Sequence, residues 1–352
     1  MKIGIYLPKY KFGGGEKVLL FLSNEFYKRG HEMVVFTGDH SILDANLPYT
    51  IVLYNGKNEG ESLSKWGKMK LIRAKMKEMR LDYVILFYPQ DFIFLPALIT
   101  KTPIIASIRV SYNTNAKNLV KKILQRWWLS ASRGVVFQTK KVMECAPKSI
   151  QSKSVVISNA LMIDNSLELS KIPKTRKIVA VGRLDEQKGC VQLLEAFAKS
   201  ANQHDFKLVY YGTGPLEETL ALKIKQYALE DRVVLAGFSH TPEADMADAE
   251  IFVLNSKWEG MPNALVEAMS IGLACISTRF DTGASEFLIQ HGENGLLVDY
   301  GDIEQLSDSI LLLVKNEDLR KKIQSKAIYT RTLLDKDAII SRWIDYMNDI
   351  KR

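Results

Sequence analysis

The chain has 352 residues, 47% hydrophobic and 25% charged, with a formal net charge of +8. That supplies enough apolar material for a sizeable core, and the length suggests two domains of ordinary size. Three cysteines without close spacing, Cys145, Cys190 and Cys275, argue against a disulfide framework and against a cysteine zinc site, and fit a reducing cytoplasm.

The opening residues, MKIGIYLPKYKFGGGEK, read as a strand and a turn and not as a secretory leader. KIGIYLP is a buried strand. Gly13, Gly14 and Gly15 follow it and precede a helix. Glycines there expose backbone N–H groups to an anion, but the run is neither GxGxxG nor GxxxxGK[ST], and a tight turn explains it equally well. EKVLLFLSNEFYKRG is a helix with Gly30 at its C′ position. EMVVFTG, DYVILFY, PIIASI, GVVFQT and SVVISN are further strands. Short apolar runs separated by helical segments indicate a parallel sheet covered on both faces. No apolar stretch reaches the ~18 residues of a membrane span. YVILFYPQDFIFLPALI comes nearest, and Gln90, Asp91 and two prolines break it.

Charge is unevenly spread over this half. Lys101 to Met143 holds nine Lys or Arg and no acid, and Lys65 to Arg80 holds seven against the single Glu78. NLVKKILQRWWLSASR places Lys117, Lys121, Lys122, Arg126, Trp127 and Trp128 on or near one helix. Basic residues beside interfacial aromatics suit an anionic lipid surface. A solvated helix with its tryptophans turned to the core is the plainer alternative. Nucleic acid shares the charge signature, but no recognition module supports it.

LELSKIPKTR is polar, contains a proline and reads as a linker. A second strand–helix series then begins, so the predicted domains are about 1–170 and 175–330. Both are expected to be doubly wound; such sheets bind ligands at the C-terminal ends of their strands, and two of them facing each other make a deep cleft. In this half KIVAVG, FKLVYYG, RVVLAGF, EIFVLNS, ACISTRF and GLLVDYG are the strands. The last segment, 333–352, is amphipathic and is expected to pack back on the first domain.

Three strand-end loops here carry chemistry. In GRLDEQKGC, Arg183 and Lys188 lie between a strand and a helix, placed to hold a diphosphate or simply solvated. In YYGTGPLEE, Gly212 and Gly214 permit close backbone approach, to a ligand or within an ordinary turn. SKWEGMPNALVEAMSIG is the richest. Pro262 suits the first helical position, and the amides of Asn263, Ala264 and Leu265 would face a phosphate. Glu259 and Glu267 stand on either side of the helix start, suited to hydroxylated groups flanking that phosphate. Such a layout fits a nucleotide diphosphate sugar.

GGGEK, VGRLDEQKG, YGTGP, EGMPNALVEAMSIG and GENGLLVDYGD, in that order, resemble the retaining GT-B glycosyltransferases of family 4, the bacterial polysaccharide and lipid-linked glycan group. Glu259 and Glu267 match that family's E-x7-E motif. The resemblance implies two Rossmann-like domains, the first for acceptor and the second for donor. It places Gly14 and Gly15 against the donor diphosphate, Arg183 and Lys188 as its counter-charges, Glu259 on the transferred sugar and Glu267 on the ribose. Gly212 and the Asn263–Leu265 backbone complete the donor contacts. It also implies a uridine diphosphate sugar, no metal, and peripheral attachment to the inner face of the plasma membrane through residues 117–133. Asp44, Asp82 and Asp91 are isolated, with no DxD triplet in a suitable loop.

One position departs from the family. Many relatives carry a histidine after the strand matching PIIASI. Here SIRVSYN places Ser107 and Arg109, as in a subgroup of polysaccharide enzymes with a Ser-Glu-Arg-Asn-like run. That leaves the role of Arg109 open: binding a donor or acceptor phosphate suits a guanidinium, and acting as a general base at neutral pH does not. His31, His204, His240 and His291 lie in other elements and read as structural. The rival readings are a nucleotide-sugar epimerase, a phosphorylase, and a non-catalytic basic membrane-binding module.

Overall fold

The computed structural model describes residues 1–8, 14–55, 63–87, 91–112, 119–163 and 166–351. The chain divides into two compact units, Met1–Asn159 with Asp337–Arg352, and Ala160–Lys336.

The first unit is built on seven parallel strands: β1 (Lys2–Leu7), β2 (Glu32–Thr37), β3 (Thr50–Leu53), β4 (Tyr83–Leu86), β5 (Ile104–Ile108), β6 (Gly134–Phe137) and β7 (Ser154–Val156), in spatial order β3-β2-β1-β4-β5-β6-β7. Parallel neighbours need crossovers, which the helices α1 (Gly14–Lys28), α2 (Lys65–Met79), α3 (Asp91–Ile99) and α4 (Leu119–Ala131) supply. Ile72 and Met76 of α2, Phe94 and Ala97 of α3, and Trp128 and Leu129 of α4 share one core with Val84, Ile104 and Val135 from the sheet. Around Phe26 of α1 the packing partner is Trp343 of the C-terminal helix Lys336–Lys351, edge to face at 6.4 Å. That helix is anchored twice more. Tyr83 Oη donates to Met347 O at 2.7 Å, and Tyr346 Oη accepts from Val135 N at 2.8 Å.

Two features of this unit differ from the sequence pattern, and a third follows it. β3, TIVL, is a strand that the pattern did not single out. It has four residues and sits at the sheet edge, too short for a clear apolar run. Trp128 is 3% exposed and belongs to the core, whereas its neighbour Trp127 is 49% exposed. The apolar run nearest to a membrane span divides between β4 and α3, and among the described residues no helix is long and apolar enough to cross a bilayer.

The second unit has six parallel strands, β8 (Thr175–Val181), β9 (Lys207–Tyr211), β10 (Val233–Gly237), β11 (Ala249–Leu254), β12 (Ala274–Thr278) and β13 (Leu296–Val298), in spatial order β10-β9-β8-β11-β12-β13. Successive side chains point to opposite faces. Ile178, Leu208, Ile251, Val253 and Ile276 enter one core, and Val179, Val209, Phe252, Leu254 and Cys275 the other. With both faces covered, the strands carry unbroken apolar runs, and the sequence shows them for that reason. LELSKIPKTR, read as a linker, is part of this packing. Leu169 is buried with Leu161 and Ile163 against the β11 face, and the chain passes between units earlier, after Asn159.

Candidate functional site

β8 ends at Val181, and the chain turns through Gly182 to Gly189 into α5 (Cys190–Ser200). The turn is internally braced. Asp185 Oδ1 accepts from Lys188 N at 3.1 Å, the cap of a short 3-10 turn over Glu186–Lys188. Gly189 closes it at φ 57°, and an added Cβ there would lie 2.2 Å from Asn255 O. Asn255, just after β11, donates to Gly189 O at 2.9 Å. Lys257 N also donates to Gln187 O at 2.7 Å, so side-chain and backbone bonds together lock the β8 and β11 loops and fix where Lys188 starts.

The same is true toward β9. Gly212 has φ 147°, and a Cβ there would sit 1.9 Å from Gly182 O. A Cβ on Gly214 would lie 2.4 Å from Leu184 O, and Leu184 N donates to Thr213 O at 3.0 Å. What these two glycines make room for is the neighbouring loop's backbone.

From that base Lys188 Nζ donates to Glu259 Oε1 at 2.5 Å. Their side chains are 22% and 13% exposed, so water screens the pair only partly. Ser256, fully buried, donates Oγ to the same Oε1 at 2.8 Å. Thr282 Oγ1 donates to the backbone carbonyls of Glu259 and Gly260 at 3.0 and 3.3 Å. Both the carboxylate and the backbone that carries it are thereby positioned. Arg183 stands further out, with its side chain 69% exposed. It pairs with Asp185 at 3.0 Å and donates to Gln187 Oε1 at 3.0 Å. Gln187 in turn donates to Trp258 O at 2.9 Å, tying Arg183's loop to Glu259's.

α6 (Asn263–Ser270) follows. Pro262 precedes it as the N-cap instead of occupying its first turn, and its carbonyl accepts from both Leu265 N and Val266 N at 3.1 Å. The Leu265 amide is therefore engaged within the helix start, a correction to its expected place among the phosphate-facing donors. Asn263 and Ala264 open the helix on the C-terminal side of β11. Glu267 is 4% exposed, one turn deeper, and its carbonyl accepts from Ser270 Oγ at 2.7 Å. Cys190, under the β8 loop, has its thiol pushed up to about 11 by burial, which makes it an inert packing group.

The remaining candidates belong to the first unit. Gly14 and Gly15 open α1; Gly13 lies outside the described residues. Arg109 follows β5, its guanidinium 3.8 Å over the Phe87 ring, and donates to Asn159 Oδ1. Along the basic segment, Lys117 and the Lys121 side chain lie outside the described residues. Lys122, Ile123, Leu124, Arg126 and Trp127 are exposed on α4, while Arg133 Nε donates to Ile350 O at 2.7 Å. Among the described residues no three His, Cys, Asp or Glu side chains gather as a metal site would need. Ser256, Gln187 and Asn255 were not singled out in the sequence. Ser256 and Asn255 flank the acidic loop directly after an apolar strand, which is the signal that could have found them.

Two Rossmann-like parallel sheets, the second carrying close loop packing and a charge pair at its strand ends, have the architecture of the GT-B fold. Residues 164–329 match the family described as glycosyl transferases group 1, and residues 12–164 match glycosyltransferase family 4. The chain is a GT-B protein related to these glycosyltransferases. It is 28% identical to an uncharacterized glycosyltransferase of Methanocaldococcus jannaschii over 58% of this chain and 60% of that protein. It is 32% identical to the N-acetylgalactosamine-N,N'-diacetylbacillosaminyl-diphospho-undecaprenol 4-alpha-N-acetylgalactosaminyltransferase of Campylobacter jejuni, over 55% of this chain and 53% of that one. The matched region thus spans only about half to three-fifths of these two relatives. The structure of Anabaena HepE in complex with UDP superposes with a TM-score of 0.82 at 18% identity, over 99% of this chain and 100% of HepE.

Proposed function

We propose that this protein transfers a hexose or N-acetylhexosamine from a uridine diphosphate sugar to a lipid-linked or growing polysaccharide acceptor, with retention of configuration and without a metal. The Lys188–Glu259 pair carries this reading. A cation and an anion held together at the ends of β8 and β11, beside the start of α6, match the two ends of a sugar diphosphate. Lys188 and Arg183 take the diphosphate together with the amides of Asn263 and Ala264. Glu259 takes hydroxyls of the sugar, and Glu267 those of the ribose. The HepE structure contains UDP, and the Campylobacter relative is named for transfer to a diphospho-undecaprenol saccharide, which supports this choice of donor and acceptor.

In the proposed reaction the bond between the anomeric carbon and the diphosphate oxygen breaks, and the acceptor oxygen bonds to that carbon from the same face. The acceptor proton passes to the departing phosphate oxygen. No side chain is needed as base, so rate comes from positioning and from the charge that Lys188 and Arg183 set against the leaving group. Gly14, Gly15 and Arg109 of the first unit are taken as substrate-binding residues of that unit. The exposed Lys122, Ile123, Leu124, Arg126 and Trp127 of α4 form the membrane-facing surface in this reading.

Nucleotide release from a panel of UDP-, GDP- and ADP-sugars, without added metal, tests the reading. The expected result is slow release from one UDP-sugar, abolished in Glu259→Ala. Failure of every donor to release nucleotide, together with no binding in calorimetry, overturns it. Salt-sensitive binding to vesicles containing phosphatidylglycerol, weakened in Trp127→Ser, tests the membrane surface; binding indifferent to both excludes it.

A further inference from the structure

Gln138 is 4% exposed, directly after β6, and its two amide atoms are treated very differently. Nε2 donates to Asn159 Oδ1 at 2.8 Å, whereas Oε1 is buried with no hydrogen-bond partner. A buried amide oxygen without a partner loses its hydration for nothing, so this orientation is unfavourable for Gln138 itself. What it secures lies one residue on. The oxygen of Asn159 that Gln138 holds also accepts from Arg109 Nη1. Asn159 is itself 5% exposed, and its backbone neighbour Ser158 is tied to Gln138 O through Oγ at 2.9 Å. Arg109 is fixed on its other side by the Phe87 ring, 3.8 Å from the guanidinium carbon. A half-buried arginine is thus gripped between an aromatic face and an amide oxygen, and that oxygen is aimed by a second amide.

We propose that Gln138 and Asn159 are positioning residues that hold the Arg109 guanidinium in a single orientation toward an anionic group of the substrate. The relay runs Gln138 Nε2 to Asn159 Oδ1 to Arg109 Nη1. An arginine so held loses little side-chain freedom when an anion arrives, which is the benefit of preorganisation. The proposal rests on the glycosyltransferase reading for the identity of the anion, a phosphate of donor or acceptor, but the anchoring itself does not.

Two readouts separate these. The first is modification of Arg109 by phenylglyoxal, followed by peptide mass spectrometry in wild type, Gln138→Met and Asn159→Leu. Loss of the relay is expected to speed modification of Arg109 several-fold while other arginines keep their rates, an order of change typical of one ordinary hydrogen bond. Unchanged modification in both variants overturns the proposal, whether or not the protein transfers sugar. The second is a double-mutant cycle in kcat/KM for sugar transfer. Gln138→Met alone is expected to lower kcat/KM about tenfold, with thermal stability equal to or above wild type because the unpaired oxygen is gone. In an Arg109→Ala background the same change is expected to have no further effect. Equal losses in both backgrounds mean that Gln138 acts independently of Arg109 and overturn the relay. If wild type shows no transfer while the modification rates behave as stated, the glycosyltransferase reading fails and the anchoring stands. UDP and inorganic pyrophosphate as protectants against phenylglyoxal identify the source of the phosphate: protection by UDP at lower concentration assigns Arg109 to the donor, and equal protection assigns it to a diphosphate without nucleotide.

Discussion

Lys188 and Glu259 neutralise each other across 2.5 Å, although the proposed sugar transfer assigns them to opposite ends of the donor. A diphosphate arriving at Lys188 competes with Glu259 for the same ammonium group. Lys188→Met is therefore expected to do two kinds of damage. It leaves the Glu259 carboxylate with Ser256 as its remaining side-chain donor among the bonds described above, and lowers stability by about 1–3 kcal/mol, below the full cost of a wholly buried pair. It also removes the leaving-group cation and cuts turnover by about 10²–10³-fold. Adding Glu259→Gln should restore the denaturation midpoint without restoring nucleotide release. Arg183→Ala should spare stability, since its side chain is largely solvated, while reducing turnover by a comparable factor. Urea melts beside donor assays on the four proteins check this.

Gly212→Ala is expected to be severe for a reason unconnected with ligands. The new Cβ meets a backbone carbonyl at 1.9 Å and the φ of 147° is strained for any side chain. The β8 and β9 loops must separate, at a cost of about 3 kcal/mol or more. Gly237→Ala, also at positive φ but with nothing within 4 Å, should cost less. Comparing their chemical denaturation midpoints isolates the steric part.

Arg320 is buried, pairs with Glu250 and donates Nη1 to Leu313 O at 2.6 Å and Val314 O at 3.2 Å. Removing it strands a carboxylate and the carbonyls at a helix end. Arg320→Ala should destabilise by about 3–5 kcal/mol, with donor binding of the folded fraction unchanged. A loss below 1 kcal/mol by urea denaturation would show that water replaces the guanidinium there.

His204 carries the clearest pH signature. Burial, and then the nearby Arg232, lower its pKa from 6.5 to about 4. Its Nδ1 accepts from Phe206 N at 3.2 Å, a bond that requires that nitrogen unprotonated. The folded state therefore resists a proton that the unfolded chain accepts. Above pH 6.5 this group has no effect; as pH falls from about 6.5 to about 4 stability declines, and below that its contribution levels off. The slope of urea midpoint against pH in that window should shrink in His204→Gln.

How much of this was readable in advance follows from burial. The strands of the second sheet showed in the sequence because, except at the half-exposed edge strand β10, both faces are covered, and Ile178 and Val179 had to be apolar alike. β3 was not readable, since TIVL at an edge lacks the flanking pattern of an interior strand. The acidic loop drew attention through Glu259, yet its support Ser256 did not. Ser256 looks like any loop hydroxyl until the fold brings it to the carboxylate. Trp127 and Trp128 are adjacent and chemically identical and both meet Phe94 edge to face, and only the rotation of α4 decides that one stays half exposed and the other is buried. The pairing of Gln138 with Asn159 spans 21 residues and two strands, a relation that one sequence cannot display.

The C-terminal helix has a consequence for how the protein is made. Residues 337–352 complete the first unit, while the second unit is one continuous stretch, 160–336. On the ribosome the order of synthesis and the order of completion are therefore reversed. The first sheet emerges early but must wait, with Tyr83 and the Phe26 surface uncovered, through the translation of the whole second unit. A premature stop near codon 336 would injure the beginning of the protein and leave its later half whole.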